Sequence, residues 1–312
     1  MMKKIIAILL AMCMILSMTA CDLIESLTPE DTSPTSDKSV FKNNTWAEIA
    51  AACQSGNVPD TWEVGDMKKM VIDDVTYDVA IIGKNHDIYA DGSGIAPLTF
   101  QVMRPVMQES MEDVESNFNG WVNSKLRALL NSDEFIGKLP EDVGANLKAV
   151  VKKTNARQDQ WEWCPSTMVE SYDKIFLLAR VEVCGNDFLD WYANVYMPWK
   201  LNRTFNGTAE QMETVLQEYA ESLGFESAEG HQYAFYAQIK KIETEPTAEY
   251  ISVSHDWSYW YDMSLASIGM TWWLRTPEFD TQNKFYNIDC NGDIYITSIV
   301  TERSGVSFAF CF

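Results

Sequence analysis

The run Tyr286-Asn287-Ile288-Asp289-Cys290-Asn291-Gly292-Asp293-Ile294-Tyr295-Ile296-Thr297 decides the fold class of this 312-residue chain. Apolar and polar side chains alternate on both sides of Asn291-Gly292. An Asn-Gly pair between alternating runs predicts a tight hairpin, because both turn positions need positive φ. Downstream, Gly305-Val306-Ser307-Phe308-Ala309-Phe310-Cys311-Phe312 is apolar almost throughout. That composition predicts a central strand buried on both faces. The C-terminus is therefore β-rich.

Upstream of this region the pattern mixes helix and strand. Thr45-Trp46-Ala47-Glu48 is a capping box that opens a helix through Gln54, and Ser55-Gly56-Asn57 ends it. Val71-Ile72 and Val75 to Ile82 read as strands around an Asp73-Asp74 turn, and Leu98 to Met103 as another. Trp121 to Leu130 predicts a helix with Val122, Leu126, Leu129 and Leu130 on one face. Glu141 to Lys153 predicts a second, striped by Val143, Leu147, Val150 and Val151, with lysines in its last turn. Lys174 to Val183, carrying Ile175-Phe176-Leu177-Leu178, reads as a buried strand. Thr208 to Leu223 opens on a Thr208/Gln211 capping box, is lined by Met212, Val215, Leu216, Tyr219 and Leu223, and stops at Gly224. There is no βαβ rhythm. The class is α+β, with N-terminal and mid-chain helices and a β-rich C-terminus.

The first 44 residues have a different character. Lys3 and Lys4 precede an apolar stretch from Ile5 to Met18, then Met18-Thr19-Ala20-Cys21. This is the layout of a secretory signal, and the apolar run is short for a membrane span. A cysteine directly after small residues resembles the lipobox of bacterial lipoproteins, although Met18 stands where that pattern prefers leucine. The resemblance implies cleavage after residue 20 and a lipid on Cys21, against the plainer expectation of ordinary secretory cleavage nearby. Residues 21–44 contain the proline-broken polar run Thr28 to Ser36 and read as a flexible linker. Residues 45–312 are then the globular domain. The expected location is extracytoplasmic, on the outer face of the cell membrane, with the membrane as a partner through Cys21.

The chain has 24 basic and 45 acidic residues, a net charge of −21. Losing residues 1–20 removes two lysines and no acid. Such a balance argues against nucleic acid as a partner, which needs clustered Lys and Arg. Of the seven cysteines, Cys13 leaves with the signal and Cys21 takes lipid. Cys53, Cys164, Cys184, Cys290 and Cys311 remain, an odd set in which at least one is free or intermolecular. Spacing leaves the pairing open. Cys290 and Cys311, which flank the hairpin region, are the expected disulfide, and five buried thiols are the alternative.

Several ordered segments carry a family resemblance. They are Trp62-Glu63-Val64-Gly65-Asp66, Ile81-Ile82-Gly83-Lys84-Asn85-His86-Asp87, Leu98-Thr99-Phe100-Gln101, Gly120 to Arg127, Asp173 to Leu178, Glu229-Gly230-His231-Gln232-Tyr233, Trp272-Trp273-Leu274-Arg275-Thr276-Pro277 and the closing Gly305 to Cys311. In this order they resemble a bacterial domain of unknown function, number 6273, over roughly Trp46 to Phe312. The resemblance implies an extracellular or phage-associated domain and brings no reaction. The Trp-Leu-Arg segment, the hairpin and the last strand are also similar to a C-type-lectin-like mixed domain, a likeness of fold that does not settle function. Residues 186–228 depart from the family pattern as an insertion, rich in aromatics, where the family has a short loop.

Chemical motifs are sparse. His86 lies between Asn85 and Asp87, and His231 and His255 are isolated, so no metal-ligand spacing occurs. No nucleophile elbow, phosphate loop or dinucleotide fingerprint is present, and no cofactor is implied. Asp289, Asn291 and Asp293 alternate as in a calcium loop but lack its length and closing glutamate. Asn186-Asp187 with Asp190 is a second acidic grouping, and the calcium motifs of sugar-binding lectins are missing. The 11 tryptophans, 13 tyrosines and 14 phenylalanines cluster in Trp161-Glu162-Trp163, Trp191-Tyr192, Trp257 to Tyr261 and Trp272-Trp273. Exposed aromatics stack on sugars and recur at interfaces. The expected function is therefore a binding module for an extracellular glycan or protein. Its candidate ligand-binding residues are Trp191, Tyr192 and Trp199 on the insertion and Asn287, Asp289, Asp293, Tyr295 and Thr297 on the hairpin. The alternative is a secreted hydrolase of cell-wall or dietary polysaccharide, which needs two facing carboxylates.

Overall fold

A computed structural model describes residues 36–118, 120–157, 166–239, 266–278, 281–292, 294 and 296–312. The signal, Cys21, Cys164, the Trp161 and Trp257 clusters, Asp293 and Tyr295 lie outside the described residues. Ser39–Phe312 forms one compact unit. It begins before Thr45, because Phe41, in the short 3-10 turn Phe41–Asn43, is buried against Trp62 and Phe100.

Helix α1 (Trp46–Ser55) has the expected capping box and ends at Gly56 in the left-handed region. Strands β1 (Met67–Ile72) and β2 (Val75–Lys84) pair around Asp73 and Asp74, whose φ of 50° and 63° are those of a mirror-image hairpin turn. Strand β3 (Leu98–Val102) and the short β4 (Gln108–Ser110) follow. The expected Trp121–Leu130 helix is a 3-10 turn over Trp121–Asn123 and then α2 (Lys125–Leu130), capped by Ser124. Short helices α3 (Asp133–Ile136) and α4 (Glu141–Gly144) come next.

Here the sequence reading is corrected. The expected Glu141–Lys153 helix stops at Gly144, and β5 (Val150–Arg157) pairs with β6 (Ser166–Asp173) as a two-stranded ribbon. Val150, Lys152 and Thr154 point inward at strand spacing. The β-branched run from Val150 favours that ribbon over the helix its apolar spacing suggested. Likewise the expected Lys174–Val183 strand is only β7 (Ile175–Phe176). Helix α5 (Arg180–Trp191) takes over, its start fixed by the Glu182 carboxylate accepting from the Ala179 amide at 2.8 Å. The chain breaks from helical geometry at Gly185, then runs through a π-helical turn at Tyr192–Tyr196 into α6 (Met197–Thr204). Helix α7 (Ala209–Ser227) has the Thr208/Gln211 box and passes through the expected stop at Gly224.

The end of the chain is β8 (Trp272–Pro277), β9 (Lys284–Ile288), β10 (Ile296–Ile299), β11 (Arg303–Gly305) and β12 (Ala309–Cys311). Ile296 pairs with Asn287, which centres the β9–β10 hairpin on Asn291-Gly292. The closing apolar run is two strands, not one. β11 joins a sheet ordered β10-β9-β8-β11-β4, and β12 sits inside a second sheet ordered β1-β2-β3-β12-β7. Phe310 of β12 and the following Phe312 pack with Phe100 and Trp46.

Gly120 (φ 59°) lies where a Cβ would stand 2.6 Å from the Asn155 carbonyl oxygen, whereas a Cβ on Gly56 (φ 70°) meets nothing. Gly56→Ala should cost about 1 kcal/mol of backbone strain. Gly120→Ala adds a collision with backbone and should cost roughly 3 kcal/mol. Urea unfolding of the two variants checks the difference, and equal losses would contradict the packing of Gly120 on β5.

Candidate functional site

Lys152 of β5 lies inside the protein with its side chain 2% exposed. Its ammonium has three N–H groups, and each has a partner. They reach Asp87 Oδ1, Glu182 Oε1 at 3.1 Å and the Tyr233 hydroxyl at 2.9 Å. The Phe176 ring lies 4.0 Å away. Asp87 follows β2, and its Oδ2 accepts from Thr99 at 2.5 Å and from Tyr233 at 2.9 Å. Glu182, in the first turn of α5, is held by Arg275 of β8 as a fork, Nη1 to Oε2 at 2.5 Å and Nη2 to Oε1 at 3.0 Å. Two cations and two anions thus close on one another in the interior.

A second layer surrounds this square. Glu229 accepts from the Asn155 amide at 2.8 Å and from the Thr276 hydroxyl. Thr276 Oγ1 accepts in turn from the Arg180 amide at 2.9 Å. The Arg180 guanidinium pairs with Glu226 at 3.0 Å, both fully buried, and lies over the rings of Tyr286 (4.2 Å) and Tyr192 (4.7 Å). At the surface, exposed His231 packs on His86 with the rings tilted by 30° and centroids 3.9 Å apart, and His86 stacks on Tyr233 at 3.7 Å. His86 Nε2 lies 2.9 Å from the His231 carbonyl oxygen and so carries a proton there. Among the described residues no group of three His, Cys, Asp or Glu is placed to hold a metal ion.

The electrostatics follow from burial and partners. Burial alone would raise the Asp87 carboxyl, but Lys152 and His86 hold it well below the usual carboxylate range. Burial likewise works against ionised Glu182, yet Arg275 and then Lys152 pull it down to about 2. Glu229 goes the other way. Burial pushes it up to about 8, outweighing Arg275 and its hydrogen bonds. Burial also raises Glu226 against the pull of Arg180.

The expected ligand residues fall in different settings. Trp191 and Tyr192 are 6% and 7% exposed and pack on Phe188, so the idea of a displayed aromatic pair is corrected. They join the same hydrophobic core as the two sheets, with the Arg180 guanidinium over the Tyr192 ring. The backbone of Trp199 lies on α6, and its side chain is outside the described set. Asn287 is buried and donates to Ser298 at 2.7 Å. Asp289 and Thr297 are half-buried, and the Asp289 carboxylate accepts from the Asn291 amide at 2.8 Å, a turn contact. The Cys290–Cys311 disulfide is also corrected. Both are free thiols, Cys290 exposed and Cys311 buried in β12 beside Thr99. Those settings belong to different sheets, which is why flanking the hairpin did not bring them together.

Most of the network comes from the segments that carried the resemblance: Asp87, Thr99, Glu229, Tyr233, Arg275, Thr276 and Cys311. The family model described as a domain of unknown function (DUF6273) matches residues 99–312. The chain belongs to that family. The matched span starts at β3, yet β1, β2 and Asp87, which precede it, complete the same sheet and the same network. No curated protein and no solved structure shows significant similarity. Sequence reasoning missed Lys152 and Glu182. Strand spacing at Val150, Lys152 and Thr154 was the available signal for the first, and nothing marked the second.

Glu229 gives a pH test. An unfolded glutamate releases its proton near 4.5 and this one near 8, so the folded state holds the extra proton between those values. Stability therefore falls as pH rises across that window, by about 1.4 kcal/mol per pH unit for one proton. Asp87 and Glu182 act oppositely, stabilising above the ordinary carboxylate range and losing that contribution as pH falls below it. Glu229→Gln should flatten the alkaline slope by one proton, leave Glu226's share, and keep the acid limb. Urea titrations from pH 4 to pH 9 check this, and an unchanged slope would show that Glu229 is ionised throughout.

Proposed function

We propose that this protein is a surface lipoprotein, anchored through Cys21, whose folded unit is a binding module for an extracellular glycan or protein on a C-type-lectin-like scaffold. The observation that carries the reading is the commitment of the interior carboxylates. Asp87, Glu182, Glu226 and Glu229 are each bound to side chains or backbone of the same chain. Carboxylates used in this way hold segments together, whereas a polysaccharide hydrolase needs a pair facing substrate. The helical insertion is fastened at its base by Arg180 and Glu226, which makes it a rigid platform carried by the family scaffold. Ligand recognition falls to the outer face of that platform and to the last hairpin, where Asp289 and Thr297 are described, with Trp199, Asp293 and Tyr295 as expected contributors whose side chains lie outside the described set. Among the described residues no helix is long and apolar enough to cross a membrane, and the lipid would supply the attachment.

Two experiments test the two halves of the reading. Soluble protein spanning residues 39–312 should bind selectively on an array of glycans and cell-wall fragments, with and without calcium. Folded protein that captures nothing there would end the glycan reading and leave a protein ligand. For the anchor, Cys21→Ser should move the protein from the membrane fraction to the medium. Retention in the membrane after that change would refute lipid attachment at this residue.

A further inference from the structure

The geometry points to a covalent cross-link: we propose that Lys152 Nζ and the Asp87 carboxyl condense to an intramolecular amide, with Glu182 as proton carrier. Tyr89 bridges Val150, and the Val151 amide donates to the Ile88 carbonyl at 2.9 Å. That antiparallel register sets Asp87 directly opposite Lys152, with Cβ atoms about 5 Å apart, within reach of a lysine folded toward its neighbour. The nitrogen is already in contact with the carboxyl. Lys152 and Asp87 side chains are 2% and 3% exposed, so little water is present to compete as a nucleophile or to reverse the reaction.

Each part of the chemistry has a group in place. Glu182 Oε1, 3.1 Å from Nζ, takes a proton from the ammonium and frees its electron pair. Glu182 hands that proton to Asp87 Oδ1, and Nζ then attacks Cγ of the neutral carboxyl. Charge builds on Oδ2, where the hydroxyls of Thr99 and Tyr233 donate hydrogen bonds at 2.5 and 2.9 Å, as an oxyanion site requires. The Cγ–Oδ1 bond breaks as the new Nζ–Cγ bond is completed. Oδ1 leaves as water with two protons that began on the ammonium, one passed through Glu182. An ammonium and a carboxylate become an amide and a water, and Glu182 ends as the carboxylate it was. No oxidant or cofactor is consumed. The product also removes two buried charges, whose desolvation is the chief cost of the ion pair. The bond would tie the segment after β2 to β5 across a chain separation of 65 residues.

Peptide mass mapping of the full chain decides the matter. Denatured protein is digested with trypsin, which cuts after Lys84 but not after an acylated lysine. The peptide beginning at Asn85 should be recovered joined to the peptide containing Lys152, one water lighter than their sum. Recovery of the two peptides only as separate species, with cleavage after Lys152, would overturn the proposal. Lys152→Arg keeps the charge and removes the nucleophile, and the joined species should vanish. A water loss that persists on the Asn85 peptide of that variant would also overturn it. In soluble Glu182→Gln protein, which keeps the contact but cannot take the proton, the joined fraction should fall about tenfold or more. An undiminished fraction overturns the proton path through Glu182.

Discussion

Taking the Lys152 ammonium out of water is the constraint on which the rest of the structure depends. A lone buried ammonium carries a penalty of several kcal/mol even after relaxation. It is tolerable here because Asp87, Glu182 and Tyr233 occupy all three of its N–H groups, and Arg275 balances the second anion. The five residues come from five stretches of chain: the segment after β2, β5, the start of α5, the segment after α7, and β8. Moving any one of them by more than a hydrogen-bond length leaves a buried charged or polar group without one of its partners. The network is therefore better understood as a device that rejects other arrangements than as a large net source of stability, since apolar packing of the same volume stabilises as well.

The first turn of α5 connects this core to the insertion. Glu182 faces Lys152 and Arg275, while Arg180 faces Glu226 and the ring of Tyr286. Thr276 joins the two layers, accepting from the Arg180 amide and donating to Glu229. Both ends of residues 186–228 are thus fixed to the same part of β8. A helical segment added at that place inherits a rigid base and is free to differ on its outer side. Trp191 and Tyr192, turned inward, tie it into the core of the whole unit.

What could be read from the sequence was what local chemistry determines. The Asn291-Gly292 hairpin, the Thr45 and Thr208 caps and the Asp73-Asp74 turn each depend on a few neighbouring residues, and each formed where expected. The errors arose where distant partners decide. Val150 to Lys153 fits a helix stripe and a strand equally well, and pairing with β6 chose the strand. The apolar end of the chain gave no hint that Gly305 and Ala309 would enter different sheets. Lys152 looked like a solvated lysine at a helix end, because nothing near it in sequence announces Asp87 or Glu182. The family segments were more informative than the periodicities, since most of them meet at one point in space.

The two cations at the centre are not interchangeable, and the reason lies in their geometry. Arg275 meets Glu182 edge to edge, a planar fork on a planar carboxylate, and spends further N–H groups on the carbonyls of Leu177 and Glu229. A lysine there would satisfy only part of that set. At position 152 the partners stand in three directions around one nitrogen, which a tetrahedral ammonium matches and a flat guanidinium does not. The same compactness puts a single nitrogen against a single carboxyl carbon. A site built to neutralise a buried lysine through close, water-free contact with a carboxylate therefore holds the reactants for removing both charges at once.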